Sequence, residues 1–355
     1  MARFTTQGQD QPLSLDFRHI AHAYGQVRAL EDISFSAPTG EITCLLGASG
    51  CGKSTLLGLA AGLLTVQRGS IMLGGEVLAD SQHSPPPEAR PVGLVFQDGA
   101  LFPHMTIAAN VGFGLPRARR TEVEGWLASV GLAGMGARYP HELSGGQQQR
   151  AALARAMAPG PRVLLMDEPF ASVDIVLRRK LRRDCRILLR EAGATVVLVT
   201  HDPAEALDIA DHIAVMEAGR IVQFGTPRDL HHAPQTAAVG AIFSGAQVIA
   251  GERRGDSFIT AFGPWPLECV LGAVPDAGPD SGAVDLLVQA DRLVLVADSA
   301  GCTVRDVHLL GPVTRVLLSG AGGAPITVET TAPVNPGEAY RAVPQPESVR
   351  AFAQN

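Results

Sequence analysis

Nine residues, GASGCGKST (Gly47–Thr55), have the types and spacing to grip a polyphosphate. They fit the pattern G-x-x-x-x-G-K-[ST]. They also lie between an apolar run, ITCLLG, and a helical pattern, TLLGLAAGLL, which is the context that gives the pattern its meaning. Glycines let the backbone curl, so that successive N–H groups point at a β- and a γ-phosphate. Lys53 adds a point charge there, and Ser54 offers its hydroxyl to Mg²⁺. Only two of the 29 basic residues are lysines, Lys53 and Lys180, which makes the placement of Lys53 more telling.

Other apolar runs end in polar groups that a bound phosphate would need. RVLLMDEP (162–169) ends in Asp167, placed for the hydration shell of Mg²⁺. Glu168 comes next, pointing to the other side of the chain, where it can orient and polarise an attacking water. TVVLVTHD (195–202) ends in His201 and Asp202. A histidine at the carboxyl end of a parallel strand lies on the ligand side of the sheet, within reach of a γ-phosphate. VFQDGALFPHMT (95–106) leaves its strand at Gln97, whose amide oxygen can coordinate Mg²⁺ or water. Tyr24, upstream of the phosphate loop, has a ring suited to stack on adenine. Each has a plainer alternative: a capping acidic pair, Asp202 as an N-cap with His201 a bystander, a solvated glutamine, a core or surface tyrosine.

A second glycine-rich stretch, LSGGQQQR (Leu143–Arg150), opens another helical pattern, QQQRAALARAMA. Backbone N–H groups at a helix start, together with its dipole, favour an anion there as well. One chain therefore carries two anion-holding loops, and a single phosphate tail does not need both.

The elements that must position these groups read as α/β from residue 13 to about 240. Strand-like runs are ITCLLG (42–47), VGLVFQ (92–97), RVLLMD (162–167), TVVLVTH (195–201) and HIAVMEAGRIVQFG (212–225). The middle three are continuous rather than alternating, as expected of strands buried on both faces of a largely parallel sheet. Residues 99–160 lack such runs and read as a helical insert, while SPPPEARP (84–91) reads as a surface loop. Beyond residue 240 come SFITAF, VDLLVQADRLVLV, TVRDVHLLG, VTRVLLSG and PITVETT, broken by Gly, Pro, Ala and Asp. Residues 245–350 thus read as a small all-β, barrel-like domain that holds most of the acidic excess.

Composition bounds the rest. The 355 residues suffice for two ordinary domains, and 46% hydrophobic with 18% charged content fits a sizeable core. A formal net charge of −6 argues against nucleic acid as a partner held by bulk electrostatics. Five cysteines stand singly, none with metal-ligand spacing, so a reduced intracellular setting is expected. MARFTTQGQD lacks the apolar segment of a signal peptide, and no stretch has the eighteen or so apolar residues of a spanning helix. A soluble chain able to dock on a membrane protein is expected. His231–His232 reads as a solvated loop, with no further ligands spaced for Zn²⁺ or iron.

As a set, these motifs resemble the nucleotide-binding subunits of ABC transporters, over nearly the whole chain. GASGCGKST resembles Walker A, VFQ the Q-loop, LSGGQQQR the signature, LLMDEP Walker B, ASVD (171–174) the D-loop and VTHD the H-switch. Each alone is weak; six in the family's order are specific. ASVD departs from the more usual SALD, so only Asp174 is carried over. The resemblance implies an α/β P-loop NTPase core of ABC type over 1–240, with a helical subdomain at about 98–160. A small C-terminal all-β barrel-like domain, OB or TOBE-type, would follow at 241–355. It implies ATP and Mg²⁺ as cofactors. ATP would be held by Tyr24, Gly47, Ala48, Ser49, Gly50, Cys51, Gly52, Lys53, Ser54, Thr55 and Gln97, and Mg²⁺ by Ser54, Gln97 and Asp167. Glu168 and His201 would be catalytic.

The same resemblance accounts for the second loop. Such subunits pair head to tail with two ATPs between them, so Ser144, Gly145, Gly146 and Gln147 would meet the partner subunit's ATP. It implies a homodimer on the cytoplasmic face of the cell membrane, peripheral, bound to integral membrane permease subunits and indirectly served by a substrate-binding protein. The helical insert around Phe102–Gly114 would receive the permease. RYPHELSGGQQQRAALARAMA, QDGALFPHMTIAANVGFGL and the GASGCGK variant look like ferric-iron importer subunits, whereas LLVQADRLVL departs from the form common in sugar importers. Ferric iron is the expected cargo, with polyamine, thiamine, sulfate or molybdate, and sugar systems as alternatives. A soluble ABC ATPase of repair or translation fits less well: no coiled-coil length is present, and there is one cassette. A nucleotide binder without turnover is opposed by Glu168 and His201.

Overall fold

The computed structural model describes residues 13–171, 175–272, 282–320 and 324–354. The chain divides into two compact units, Met1–Arg228 and Asp229–Asn355.

In the first unit, β1 (Leu15–Tyr24) and β2 (Val27–Ala37) form an antiparallel pair. Leu15, Phe17 and Ile20 of β1 are buried while their neighbours meet water, so the strand alternates. After β3 (Ile42–Leu46) and α1 (Lys53–Ala61), β4 (Arg68–Leu73) and β5 (Glu76–Asp80) complete this sheet in the order β2-β1-β4-β5. The sheet has no counterpart among the apolar runs of the sequence, because half-exposed strands make no continuous run.

A second sheet joins β3 to β6 (Val92–Val95), β7 (Val163–Asp167), β8 (Thr195–Thr200), β9 (His212–Glu217) and β10 (Arg220–Gly225). Its order is β10-β9-β3-β8-β7-β6, parallel throughout except for the antiparallel edge strand β10. Every residue of β3 and β8 is buried, which is why their sequences run apolar without a break. HIAVMEAGRIVQFG is two strands, because Ala218 and Gly219 both take positive φ and turn β9 back into β10. Leu15, Phe17 and Ile33 of the first sheet, Leu45, Leu165 and Val197 of the second, and Leu56 and Leu59 of α1 share one core.

The insert between β6 and β7 is helical: α2 (Ile107–Val111), α3 (Val123–Ser129) and α4 (Gly145–Met157), around Ile107, Val111, Leu127, Leu132 and Ala151. Buried Asn110 pins the loop before α2, accepting from the Phe102 N–H and donating to the carbonyls of Phe102, Met105 and Thr106. α5 (Ile175–Glu191) links β7 to β8, and α6 (Pro203–Ile209) links β8 to β9.

The division falls within α7 (Pro227–His232). His231 and His232 close this helix rather than sitting in a loop. α8 (Ala237–Ser244) contains the boundary expected after residue 240. In the second unit, β11 (Gln247–Arg254), β12 (Ser257–Thr260), β13 (Gly263–Pro266) and β14 (Ala283–Val288) form one antiparallel sheet. β15 (Leu293–Leu310), β16 (Val313–Ser319), β17 (Ile326–Thr330) and β18 (Ala339–Pro344) form another, and β19 (Val349–Ala353) joins the first beside β14. Phe258, Trp265, Leu286, Val316 and Val328 share the core. VDLLVQADRLVLV breaks at a 3-10 turn, Ala290–Arg292, and its second half continues through TVRDVHLLG as the single strand β15.

The helix after the phosphate loop is held at its far end by Arg90, which is 5% exposed. Its Nη1 donates to the Leu59 and Ala60 carbonyls at 2.7 and 2.9 Å, and its Nε donates to the Pro85 carbonyl at 2.8 Å. Arg90→Leu removes those donors from buried acceptors and should destabilise the first unit by about 3 kcal/mol. The check is the urea midpoint of the full chain; an unshifted midpoint would refute this role for Arg90.

Candidate active site

The phosphate loop starts where β3 ends. Gly52 is the N-cap of α1 with φ 104°, and Gly50 has φ 84°, backbone that side chains with a Cβ rarely adopt. A Cβ at Gly47 would stand 2.3 Å from the Met216 carbonyl, and one at Gly52 would stand 2.5 Å from the Ala29 carbonyl. These positions must be glycine because β9 and β2 press on the loop from behind. Cys51 is buried inside the curl, whereas Ala48, Ser49 and Gly50 face water.

Lys53 is buried and its ammonium lies inside the loop. Nζ donates to the carbonyls of Gly47 and Ala48 at 2.8 and 2.9 Å. Tyr24 ends β1 beside this loop, with its ring exposed and its hydroxyl 3.4 Å from Thr55 Oγ1. The structure therefore brings Tyr24 and the loop together, with the ring in edge contact with His22 and otherwise open to water.

Asp167 ends β7, and its register partner on β8 is Val199. Ser54 Oγ donates to Asp167 Oδ1 at 3.4 Å. Burial raises the Asp167 carboxyl pKa; the neighbouring Glu168 pushes the same way, while Ser54 and Lys53 pull it down. Two hard oxygen donors side by side fit Mg²⁺, which binds through one or two protein oxygens plus phosphate and water. Among the described residues no group of three or more His, Cys, Asp and Glu is gathered as an all-protein metal cage. Gln97 stands exposed in the turn after β6, without a hydrogen bond to Ser54 or Asp167 among the described residues.

Glu168 leaves the strand line abruptly. Its φ is 41°, a left-handed conformation for a residue with a Cβ, held by a bond from its N–H to the Val199 carbonyl at 3.0 Å. Such a conformation costs on the order of 1–3 kcal/mol and persists only when its surroundings fix it. It sets the carboxylate against His201, with Oε1 3.0 Å from Nδ1. The Glu168 side chain is 22% exposed and that of His201 55%, so the pair faces outward from the sheet edge.

The signature loop is built differently. Ser144 caps α4 and makes a reciprocal pair with Gln147: the Gln147 N–H donates to Ser144 Oγ at 3.4 Å, and the Ser144 N–H to Gln147 Oε1 at 2.9 Å. Gln148 donates to the Pro140 and Leu143 carbonyls, and Arg150 pairs with Asp184 at 2.7 Å. Ser144 and Gly145 remain exposed, while Gly146 is buried. Asp174 lies outside the described residues.

Sequence reasoning passed over Arg182, Thr200 and Glu205, all buried. Arg182 sits in a run of basic residues that reads as a solvated face. Its spacing with Leu181, Cys185 and Leu189, all buried, was the available signal. The Asp202 carboxylate caps α6 by accepting from the Ala204 N–H at 2.9 Å and also accepts from Arg182.

The chain is also similar to known proteins. The ABC transporter family model matches residues 30–171. The Fe(3+) ions import ATP-binding protein FbpC of Pseudomonas fluorescens is 42% identical over 323 residues, covering 87% of this chain and 89% of that protein. The sulfate/thiosulfate import ATP-binding protein CysA 2 of Chromobacterium violaceum is 40% identical, covering 87% and 84%. The spermidine/putrescine import ATP-binding protein PotA of Pseudomonas fluorescens is 40% identical, covering 87% and 86%. Among solved structures, an ATP-binding cassette of an ABC transporter in its ADP conformation aligns with a TM-score of 0.57 at 24% identity. It covers 66% of this chain and 99% of that one, a likeness of fold.

A methyl group at Gly52 has no room and would strain a left-handed residue. Gly52→Ala should weaken binding of a fluorescent ATP analogue by about tenfold or more, equivalent to about 1.4 kcal/mol. Gly193→Ala has the same kind of backbone with nothing within 4 Å, and should bind as the parent does. Equal affinities for both variants would remove the steric argument.

Proposed function

The chain belongs to the ATP-binding subunits of the ABC transporter family, and from that premise we propose that it hydrolyses Mg-ATP to drive ferric-iron uptake through a membrane permease. The single observation that carries the hydrolytic reading is the Glu168–His201 pair at 3.0 Å, beside Asp167 and the phosphate loop.

The loop N–H groups and Lys53 bind the phosphates, and Tyr24 stacks on the base. Ser54 and Asp167 would hold Mg²⁺, with Gln97 reaching in from the turn after β6. When bound, the ion would supply charge neutralisation on the phosphate tail. Glu168 accepts a proton from the attacking water as its oxygen bonds to the γ-phosphorus. The bond to the β-bridging oxygen breaks, leaving ADP and phosphate. His201 orients Glu168 and contacts the γ-phosphate.

Ser144 and Gly145 face outward at a helix N-terminus, which supports a site for the partner subunit's ATP in a head-to-tail homodimer. The exposed ring of Phe113, packed 4.7 Å from Phe102, supports the helical insert as the permease contact. Ferric iron as cargo is supported by the iron-importer relatives and by the segments flanking the signature. Sulfate and polyamine importers of near-equal identity supply the alternative cargoes. We place the chain peripherally on the cytoplasmic side of the membrane; no helix among the described residues is long and apolar enough to cross it.

Glu168→Gln should keep ATP-analogue affinity and lower turnover by about 100-fold or more. Undiminished turnover would remove Glu168 as the base. Ser144→Arg should leave binding to a single chain intact but abolish ATP-dependent dimers in size-exclusion chromatography; dimers that persist would count against the cross-subunit role. For the cargo, a strain lacking this chain should lose uptake of labelled ferric iron. Normal iron uptake with loss of labelled sulfate or spermidine would replace the cargo.

A further inference from the structure

A buried polar cluster lies beneath the loop that carries His201, and the hydrolytic reading leaves it unused. Arg182, on α5, is 5% exposed and faces three carboxylates. Its Nη2 donates to Asp202 Oδ2 at 2.5 Å and lies 3.6 Å from Glu205 Oε2, and its Nη1 is 3.4 Å from Asp208 Oδ2. Glu205, 4% exposed, accepts from the Thr200 hydroxyl at 3.0 Å. That hydroxyl in turn accepts from the Asp202 N–H at 3.1 Å. His201 is therefore bracketed: the residue on each side of it is held by the cluster, while its own ring meets Glu168.

We propose that Arg182 and Glu205 are positioning residues that fix His201 against Glu168 from behind, an inference that rests on the hydrolytic reading of that pair. Packing alone does not account for them. Apolar residues would hold α5 against α6 at least as well. Two atoms of the cluster, Arg182 Nε and Glu205 Oε1, are buried without a hydrogen-bond partner, an arrangement that lowers stability. What the charges add is direction. A planar guanidinium between carboxylates fixes the turn from β8 into α6 at a defined angle, and Thr200 and Asp202 pass that constraint to the residue between them.

Glu205 also makes the constraint sensitive to pH. It is faced by Arg178, Arg182 and Cys185 on α5, by Cys44 on β3, and by Asp202 at the start of α6, with Asp208 reaching Arg182 from the same helix. Burial pushes its carboxyl up to about 7, against the pull of Thr200 and Arg182. Above that pH Glu205 is ionised and is the stronger acceptor for Thr200; below it the carboxyl is neutral and the anchor slackens. Turnover should fall as pH drops through this range because His201 loses its placement.

The test measures ATP turnover and ATP-analogue affinity of the full chain for Glu205→Gln, Arg182→Lys and Arg182→Met across pH 6–8.5. Glu205→Gln keeps shape and neutrality at every pH. It should bind nucleotide within about twofold of the parent, lose about tenfold in kcat, and show a flatter pH profile through neutrality. Arg182→Met should lose more kcat, and Arg182→Lys should recover part of it. Parental kcat and pH profile in Glu205→Gln would overturn the inference, as would equal losses of affinity and kcat. If Arg182→Met does not fold, Glu205→Gln decides alone. A parent chain without turnover would overturn the hydrolytic reading and this inference with it. A parent that turns over, with variants that match it, removes the positioning role only.

Discussion

The site depends on three neighbouring parallel strands ending level with one another. In the sheet β3 lies beside β8 and β8 beside β7, with Leu46 opposite Thr200 and Asp167 opposite Val199. That register puts the phosphate loop, the Asp167–Glu168 pair and His201 at one edge, although the loop precedes the other two by more than a hundred residues of chain. A slip of one residue in β7 would turn Asp167 to the opposite face of the sheet. The register is held by burial on both faces: β3 and β8 are buried throughout and β7 in all but its last residue. The hydrophobic core thus sets the distances among the polar groups, to a tolerance that mobile loops would not keep.

The tightness of the loop has the same origin. Carbonyls of Ala29 and Met216 lie where side chains at Gly52 and Gly47 would go, so the antiparallel sheet and β9 shape the curl from behind. Lys53 then bonds two of the loop's own carbonyls, which stiffens it further. The helical insert is tied to the turn after β6 by a side chain of α4. Arg155 of α4 donates to the Gly99 and Ala100 carbonyls just after Gln97, and its guanidinium lies 5.5 Å from the Phe102 ring centre. Any movement of α4 must therefore be felt by the turn that presents Gln97.

What was legible in the sequence follows from these constraints. Strands buried on both faces must be apolar without interruption, so β7 and β8 stood out and the polar residues at their ends could be placed; β6, expected to be buried in the same way, is instead an edge strand with Val92 and Leu94 only part-buried. Strands half exposed to water alternate, so the sheet of β1, β2, β4 and β5 left no comparable run. The two halves of β15 look like separate strands because a register shift between Ala297 and Cys302 interrupts their pairing with β18. Glu168 was legible as an acid but not as a left-handed residue, since its φ is imposed by the Val199 carbonyl across the sheet. Arg182 and Glu205 were hidden for another reason: a charged residue is presumed solvated unless its partners, distant in sequence, are known to cover it.

The signature loop follows a different logic from the phosphate loop, and the difference bears on why one chain has both. In the phosphate loop the side chain of Lys53 turns inward, and the curl is closed around it. In LSGGQQQR the side chains of Gln147 and Gln148 are engaged within the insert, and that of Arg150 reaches across to Asp184 on α5. What remains toward water is the Ser144 hydroxyl and the first backbone N–H groups of a helix thirteen residues long. Those groups have no intrahelical acceptor, and the helix dipole adds positive potential where they emerge. A surface whose side chains serve only to hold a helix start rigid and exposed is suited to an anion arriving from outside. That supports the proposed pairing of two chains, in which each phosphate tail is gripped by one loop and sensed by the other.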